Sequence, residues 1–213
     1  MKLAMIDMDL GNLQSVLEAF RRVGADVATT ESPEDVTAAT AVILPGVGAF
    51  GDGMASLRGK GLVESLRRHV VELGRPLLGI CLGLQLLAEE GEEHGVHQGL
   101  GFLRGRVVRL KPAGRDDRVP NMGWCDVKVV KSESVLLGSF VDGEACYFAH
   151  SYHLECRDPE DVAAFIEYGG HRDTAAIERG NLFGVQFHPE KSQDAGLNVL
   201  RAFCEHVRGT AGR

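Results

Sequence analysis

The chain has 213 residues, of which 44% are hydrophobic and 25% are charged, so it is long enough to bury the core of one globular domain spanning residues 1–213. Its formal net charge of −7, with acidic and basic residues interspersed, argues against a nucleic-acid or membrane-surface partner. No apolar run approaches the roughly 20 residues that cross a bilayer, and the sequence enters a strand pattern at Lys2 without a signal peptide, so we expect a cytoplasmic protein.

The first half of the sequence alternates short apolar runs with helical patterns. Runs at 3–6, 41–44 and 77–80 predict strands, while apolar residues at helical spacing over 13–20 and 62–73 predict helices. Nearly continuous apolar strands are typical of a parallel sheet that helices cover on both faces. We therefore predict a doubly wound α/β domain.

The second half changes to short strands separated by Gly, Asp and Pro turns, which predicts a mixed sheet. A last amphipathic helix, with Leu197, Leu200, Phe203 and Val207 on one face, closes the domain. The strands are predicted at 104–110, 126–130, 146–149, 163–168, 175–179 and 182–185.

The five cysteines are scattered and form no C-x-x-C pair, which argues against a disulfide framework or a zinc site. No metal or organic cofactor is expected. Most free cysteines are small buried hydrophobes, so a function for any of them depends on its local setting.

The setting of Cys81 is a G-x-C-x-G turn between a buried strand and a predicted helix. Such a sharp bend needs small residues two before and two after the nucleophile, and Gly79 and Gly83 meet this need. A helix N-terminus favours the thiolate, and the backbone N–H of Leu82 would face an oxyanion. The alternative is a structural cysteine between two packing glycines.

A partner base is offered by His188, which ends a strand and is followed by Pro189 and Glu190. The imidazole would take the thiol proton and return it to a leaving amine, while Glu190 holds the other ring nitrogen. His150, also at a strand end, is either a wall of the site or a structural histidine; the other histidines lie mostly in predicted helices or loops, where solvated or structural roles are expected.

Taken together, Gly79-Ile-Cys-Leu-Gly-Leu-Gln85 and Gln186-Phe-His-Pro-Glu190 resemble the two signatures of the class I, or triad, glutamine amidotransferases. The resemblance implies hydrolysis of glutamine through a γ-glutamyl thioester, with the ammonia passed to a synthase partner. On that basis Cys81 is the nucleophile, His188 the acid and base, and Glu190 its orienting group.

Other segments resemble the histidine-biosynthesis branch of this family, which serves imidazole glycerol phosphate synthase. They are Asp7-Met-Asp-Leu-Gly-Asn12, Pro45-Gly-Val-Gly-Ala-Phe50, Pro120-Asn-Met-Gly-Trp124 and Tyr147-Phe-Ala-His-Ser-Tyr152. The sequence departs from the branch pattern at Met8, Asp9, Asn121 and Cys125.

The resemblance implies further site residues. Val47 and Gly48 would complete the oxyanion hole with Leu82; Gln85, His150, Ser151 and Tyr152 would bind the substrate; Asn12, Met122, Trp124 and Lys191 would face the partner. Each has a plainer reading: Pro45 to Gly48 as a simple turn, Gln85 as an exposed helix residue, Met122 and Trp124 as core, and Lys191 as a solvated loop residue.

The implied partner is a separate cyclase chain, expected to be a (β/α)₈ barrel, that forms a heterodimer and makes imidazole glycerol phosphate and aminoimidazole carboxamide ribotide. We expect the isolated chain to be nearly inactive until a peptide between Gly46 and Gly48 flips. Three alternatives stay open: a glutaminase for anthranilate, purine or pyridoxal phosphate synthesis, a non-enzymatic interaction module, and a cysteine hydrolase for another amide.

Overall fold

The computed structural model describes residues 1–111, 113, 118–141 and 143–210. Its strands are β1 (Leu3–Ile6), β2 (Val27–Thr30), β3 (Ala41–Gly46), β4 (Leu77–Cys81), β5 (Glu90–Gly91), β6 (His97–Gln98), β7 (Gly105–Arg109), β8 (Asn121–Asp126), β9 (Lys128–Val129), β10 (Ala145–His150), β11 (Tyr152–Cys156), β12 (Val162–Tyr168), β13 (His171–Arg179) and β14 (Leu182–Val185). The α-helices are α1 (Leu13–Arg22), α2 (Pro33–Ala38), α3 (Phe50–Gly59), α4 (Leu62–Arg67), α5 (Leu82–Gln85) and α6 (Gln193–Thr210).

An eight-stranded sheet in the order β2-β1-β3-β4-β14-β13-β12-β9 forms the centre of the fold. The strands from β2 to β14 in this order are parallel, and β13, β12 and β9 add antiparallel pairings at one side. The predicted mixed sheet in an α/β fold is therefore confirmed. Two smaller sheets, β10-β8 and β11-β7-β5-β6, stand beside it.

The central sheet is buried on both faces. Along β1, Leu3 and Met5 belong to one apolar cluster with Phe20 of α1 and Phe203 of α6, because alternate side chains of a strand point to opposite faces. Ala4 and Ile6 belong to a second cluster on the other face, which includes the apolar side chains of α3 and α4. This explains why the strand sequences are continuously apolar.

Several predicted elements differ from the structure. The strand predicted at 126–130 is two strands, β8 and β9, separated by the buried Val127, and β8 reaches back to Asn121. The helical pattern over 62–73 is α4 followed by a π-helical turn, Arg68–Glu72. The elements β2, α2, α3, β5, β6 and β11 were not predicted.

A helix long and apolar enough to cross a membrane does not occur in the part of the chain that the structure describes.

Candidate active site

Cys81 sits at a sharp bend where β4 ends and α5 begins. Its backbone has φ 53° and ψ −110°, a region that a residue with a side chain rarely adopts. A Cβ on Gly79 would lie 2.7 Å from the backbone N of Leu84, and a Cβ on Gly83 would overlap the backbone carbonyl oxygen of Leu44. Both glycines are therefore needed for the close approach of β3, β4 and α5, as the G-x-C-x-G pattern predicts.

The helix after this bend is short. α5 has four residues and ends at Gln85. Because a helix dipole grows with the number of aligned peptides, a single turn contributes little to thiolate stability. A positive charge beside Cys81 must then come from a side chain.

His188 and Glu190 provide such a group. Val185 ends β14, which lies beside β4 in the sheet, so the turn that follows brings His188 to the same edge as Cys81. His188 Nδ1 donates to Glu190 Oε1 at 2.9 Å, and both side chains are almost completely buried. With Nδ1 committed to the carboxylate, Nε2 is the ring nitrogen that faces the thiol.

The charges of this pair support one another. Burial disfavours a cation at His188, but its hydrogen bonds with Cys81 and Glu190 outweigh burial and raise the pKa of His188 to about 10. Burial also opposes ionisation of Glu190, yet the hydrogen bond from His188 and a further one from Asn12 hold the pKa of Glu190 below its ordinary value. At neutral pH the pair is an imidazolium and a carboxylate.

Two neighbouring side chains fix the pair. Asn12 Nδ2 donates to Glu190 Oε1 at 2.7 Å. Ser192 Oγ donates to the carbonyl oxygen of His188 at 2.7 Å and accepts from the backbone N–H of Tyr147 at 2.9 Å. Asn12 was predicted at a partner surface; its amide bonds the acid of the triad, and its contact with a partner stays a prediction.

A cleft of about 410 Å³ opens at Cys81. All three predicted oxyanion residues line it, and Gly48 has φ 104°, a conformation that favours glycine. The predicted substrate residues line it as well. The lining comprises Val47, Gly48, Ala49, Cys81, Leu82, Gln85, Glu93, Pro120, Met122, Ala149, His150, Ser151 and Tyr152.

Gln85 and His150 form the inner wall of the cleft. Gln85 is buried, which excludes an exposed helix position, and its Nε2 donates to the carbonyl oxygen of Tyr152 at 2.8 Å. Burial lowers the pKa of His150 to about 4, so the imidazole is neutral. Its Nδ1 donates to the same carbonyl at 3.0 Å, and its Nε2 lies 3.4 Å from Asn121 Nδ2, a donor at one of the positions where the sequence departs from the branch pattern.

Beside the cleft, four side chains form an outer patch: Met122, Trp124, Tyr147 and Lys191. Met122 is 66% exposed and Trp124 is 49% exposed, so neither is a core residue. Trp124 packs edge-on against Tyr147 with ring centroids 6.1 Å apart, and Lys191 Nζ lies 5.5 Å from the Tyr147 ring centroid. An exposed apolar patch of this kind is typical of a binding surface.

Two residues near Cys81, one lining the cleft and one buried behind it, were not predicted from the sequence as site residues. Glu93 brings a carboxylate to the cleft, where its Oε2 accepts from the backbone N–H of Phe50 at 2.9 Å. Gln186 is completely buried and donates from Nε2 to Cys81 Sγ at 3.6 Å. Gln186 belongs to the Gln186-Phe-His-Pro-Glu190 motif, which is a signal for it; Glu93 has no local signal.

One acidic cluster has the spacing for a metal ion among the residues that the structure describes, namely Asp7, Asp9 and Glu31. Lys60 Nζ lies 2.7 Å from Asp9 and 3.0 Å from Glu31, so an ammonium group already balances these carboxylates. The cluster gives no support for a metal.

Comparisons with known proteins agree with the geometry. Residues 4–207 match the family model for glutamine amidotransferase class-I. A Moorella thermoacetica protein named imidazole glycerol phosphate synthase subunit HisH is 51% identical, over 99% of this chain and 98% of that protein. A Methanothermobacter thermautotrophicus protein of the same name is 47% identical, over 97% of this chain and 99% of that protein.

Solved structures show the same fold at lower identity. A structure described as a glutamine amidotransferase superimposes with a TM-score of 0.73 at 22% identity, covering 96% of this chain and 98% of that one. The structure of PurLQS from Thermotoga maritima gives a TM-score of 0.74 at 19% identity, covering 97% of this chain and 98% of that chain.

Proposed function

The chain belongs to the class I glutamine amidotransferases, and from that membership we propose that it is the glutamine-hydrolysing subunit of an imidazole glycerol phosphate synthase. The observation that carries the activity is the alignment of Cys81 at a strained bend with the buried His188 and Glu190 pair. The branch is supported by the high identity, over almost the whole chain, to proteins named as this subunit.

The first half of the reaction forms a thioester. Glutamine enters the cleft with its side-chain amide at Cys81 and its α-ammonium against the carboxylate of Glu93. The Cys81 thiolate attacks the amide carbon, and N–H groups of Leu82 and of the Val47-Gly48 turn stabilise the oxyanion. His188 then gives its Nε2 proton to the amide nitrogen, the C–N bond breaks, and ammonia leaves.

The second half releases glutamate. His188, now neutral, takes a proton from water, and the resulting hydroxide attacks the thioester carbon. The C–S bond breaks, the thiolate returns to Cys81, and the proton on His188 restores the imidazolium. Glu190 keeps Nδ1 protonated throughout, so the same ring nitrogen carries out both proton transfers.

The ammonia is used by a separate cyclase chain, which converts a phosphoribulosyl-formimino-carboxamide nucleotide into imidazole glycerol phosphate and aminoimidazole carboxamide ribotide. The outer patch beside the cleft supports a heterodimer, because its exposed apolar side chains border the opening through which a product would pass. We place this single-domain subunit in the cytoplasm and assign it no cofactor.

Substituting the nucleophile tests the chemistry. In the complex, Cys81→Ala should abolish glutamine-dependent product formation, while product formation from added ammonia continues at the parent rate. The two rates are measured by the appearance of the imidazole product. Loss of the ammonia-driven reaction in a folded complex would contradict the separation of glutaminase and cyclase between two chains.

Mixing experiments test the partner and the regulation. Glutamate release should be low in the isolated chain, and should rise at least about tenfold, a coupling in the usual range, when both a cyclase subunit and its nucleotide substrate are present. The reason is that the Val47-Gly48 peptide must turn its N–H into the cleft. Full activity of the chain alone would overturn this.

If the chain served another branch of the family, a different synthase would stimulate its glutaminase activity. The solved structure of PurLQS shares this fold, but its 19% identity is far below the 51% and 47% identity of the two relatives named as imidazole glycerol phosphate synthase subunit. A synthase of purine, anthranilate or pyridoxal phosphate that stimulated this chain as strongly as the cyclase would favour that branch.

A further inference from the structure

Gln186 contacts the nucleophile from the side opposite to solvent. It follows β14 directly, and its backbone N–H donates to the carbonyl oxygen of Ala175 at 2.8 Å, which anchors it to β13. The side chain is 0% exposed, and its Nε2 lies 3.6 Å from Cys81 Sγ. The contact joins residues 105 positions apart in sequence.

The orientation of this amide is fixed by a chain of hydrogen bonds that ends on a main-chain carbonyl. The carbonyl oxygen of Tyr152 only accepts, so the Gln85 atom 2.8 Å from it must be the Nε2 donor. That same Nε2 lies 3.1 Å from Gln186 Oε1, which must therefore be the acceptor. The remaining end of Gln186, its NH₂ group, is left to face the sulfur.

From this network we infer that Gln186 is a further catalytic residue, whose amide N–H stabilises and aims the Cys81 thiolate while Gln85 holds the amide in place. A thiolate is a stronger acceptor than a thiol or a thioester sulfur, so the bond favours the anion before attack and again when the thioester breaks. The inference rests on the proposed glutaminase function.

The surroundings of Cys81 make this donor useful. Of the ionisable side chains around the cleft, His188 faces the sulfur and carries the positive charge, Glu190 lies behind His188, and His150 is neutral. Glu93 lines the same cleft. A neutral donor adds thiolate stability without competing with His188 for the proton.

The test uses alkylation of Cys81 by iodoacetamide, because this reaction needs neither glutamine nor a partner. In Gln186→Met, which keeps the volume and removes the donor, the midpoint of the acid limb of the rate profile should move up by about 1 pH unit. Within that limb alkylation should slow about tenfold. In Gln186→Glu, whose carboxylate faces the sulfur, the shift should be larger. Alkylation is assigned to Cys81 by mass spectrometry.

The matched control is Gln98→Met, the same chemical change at an exposed position of β6, which should leave the profile unchanged. If Gln186→Met does not fold, Gln186→Asn keeps a buried amide but withdraws it from the sulfur, and the same upward shift is expected. The shorter amide of Gln186→Asn should therefore not restore the parent profile.

The inference would be overturned if folded Gln186→Met or Gln186→Asn showed the same pH profile of alkylation as the parent chain. If the melting temperature fell while the profile stayed unchanged, the role of Gln186 would be structural alone. Glutaminase assays of the parent complex test the proposed function separately, so that its failure would leave the alkylation result interpretable.

Discussion

At the scale of single residues, the neutral state of His150 has a consequence for stability. Burial is the main reason why the pKa of its imidazole falls from 6.5 to about 4. Below its ordinary pKa the unfolded chain binds a proton at this residue, whereas the folded chain does not until the pH approaches the depressed value. The folded state therefore loses stability as the pH falls through this window.

Substitution of His150 should remove that part of the pH dependence. We predict that His150→Asn, whose amide can still donate to Tyr152, flattens the fall of the unfolding free energy between about pH 6.5 and pH 4, a difference on the order of 3 kcal/mol. Urea titrations at several pH values measure it. His94→Asn, at an exposed position with φ 57°, is the control and should keep the parent slope; an equal slope in both variants would contradict the prediction.

Sequence patterns identified those site residues whose role is marked by their immediate neighbours in the chain. Cys81 between two glycines and His188 before a proline are short-range patterns, and the structure brings both to one sheet edge. Gln186 lies in the same motif as His188, but the motif does not show its contact with Cys81, and Glu93 has no local signal. Both contacts, of Gln186 with Cys81 and of Glu93 with Phe50, join distant parts of the chain and are seen only once the fold is known.

At the scale of elements, the bend at Cys81 depends on the absence of a side chain at Gly83. A methyl group there would overlap the Leu44 carbonyl of β3, which is backbone and cannot move without separating two central strands. We predict that Gly83→Ala lowers the free energy of unfolding by more than about 3 kcal/mol and slows alkylation of Cys81. Thermal unfolding followed by circular dichroism measures the first effect.

The control for this change is Gly59→Ala. Gly59 is the exposed last residue of α3, where a Cβ meets no atom within 4 Å, so alanine should leave stability unchanged or raise it by about 0.5 kcal/mol. Equal melting temperatures for the two variants would show that β3 and α5 can separate without cost.

The elements that were missed have weak local signals. α3 contains glycine at three of its ten positions, and its apolar residues Phe50, Met54 and Leu57 are buried because α4, β6 and α5 pack nearby. β2 has four residues at the edge of the sheet. Their conformation is set by packing against the rest of the domain, which a local pattern does not contain.

At the scale of the whole molecule, the outer patch gives a direct measure of assembly. Trp124 is the single tryptophan of the sequence and is 49% exposed. We predict that its fluorescence emission moves to shorter wavelength when the cyclase subunit binds, because the indole leaves water. Unchanged emission at saturating partner would place the interface elsewhere.

The same surface should tolerate charge poorly. Met122→Glu is expected to weaken the complex by at least about tenfold, since it buries a carboxylate in an apolar contact. Val71→Glu is the matched control: Val71 is 57% exposed but precedes β4, at the sheet edge opposite to the cleft, so it should bind as the parent does. Calorimetric titration compares the two, and equal weakening would point to a general effect of charge.

The two-stranded ribbon of β8 and β10 carries the outer patch on one face and the buried Asn121 and His150 on the other, and Met122 lies where the patch meets the mouth of the cleft. Side chains along it alternate, so Met122 and Trp124 point outward while Asn121 and its cross-strand partner His150 point to the interior. Asn121 and Met122 are joined by a single peptide bond. A partner that shifts Met122 therefore also moves the backbone of Asn121, and with it the inner wall of the cleft, without any intervening side chain. A tilt of the ribbon changes the position of both of its faces at once.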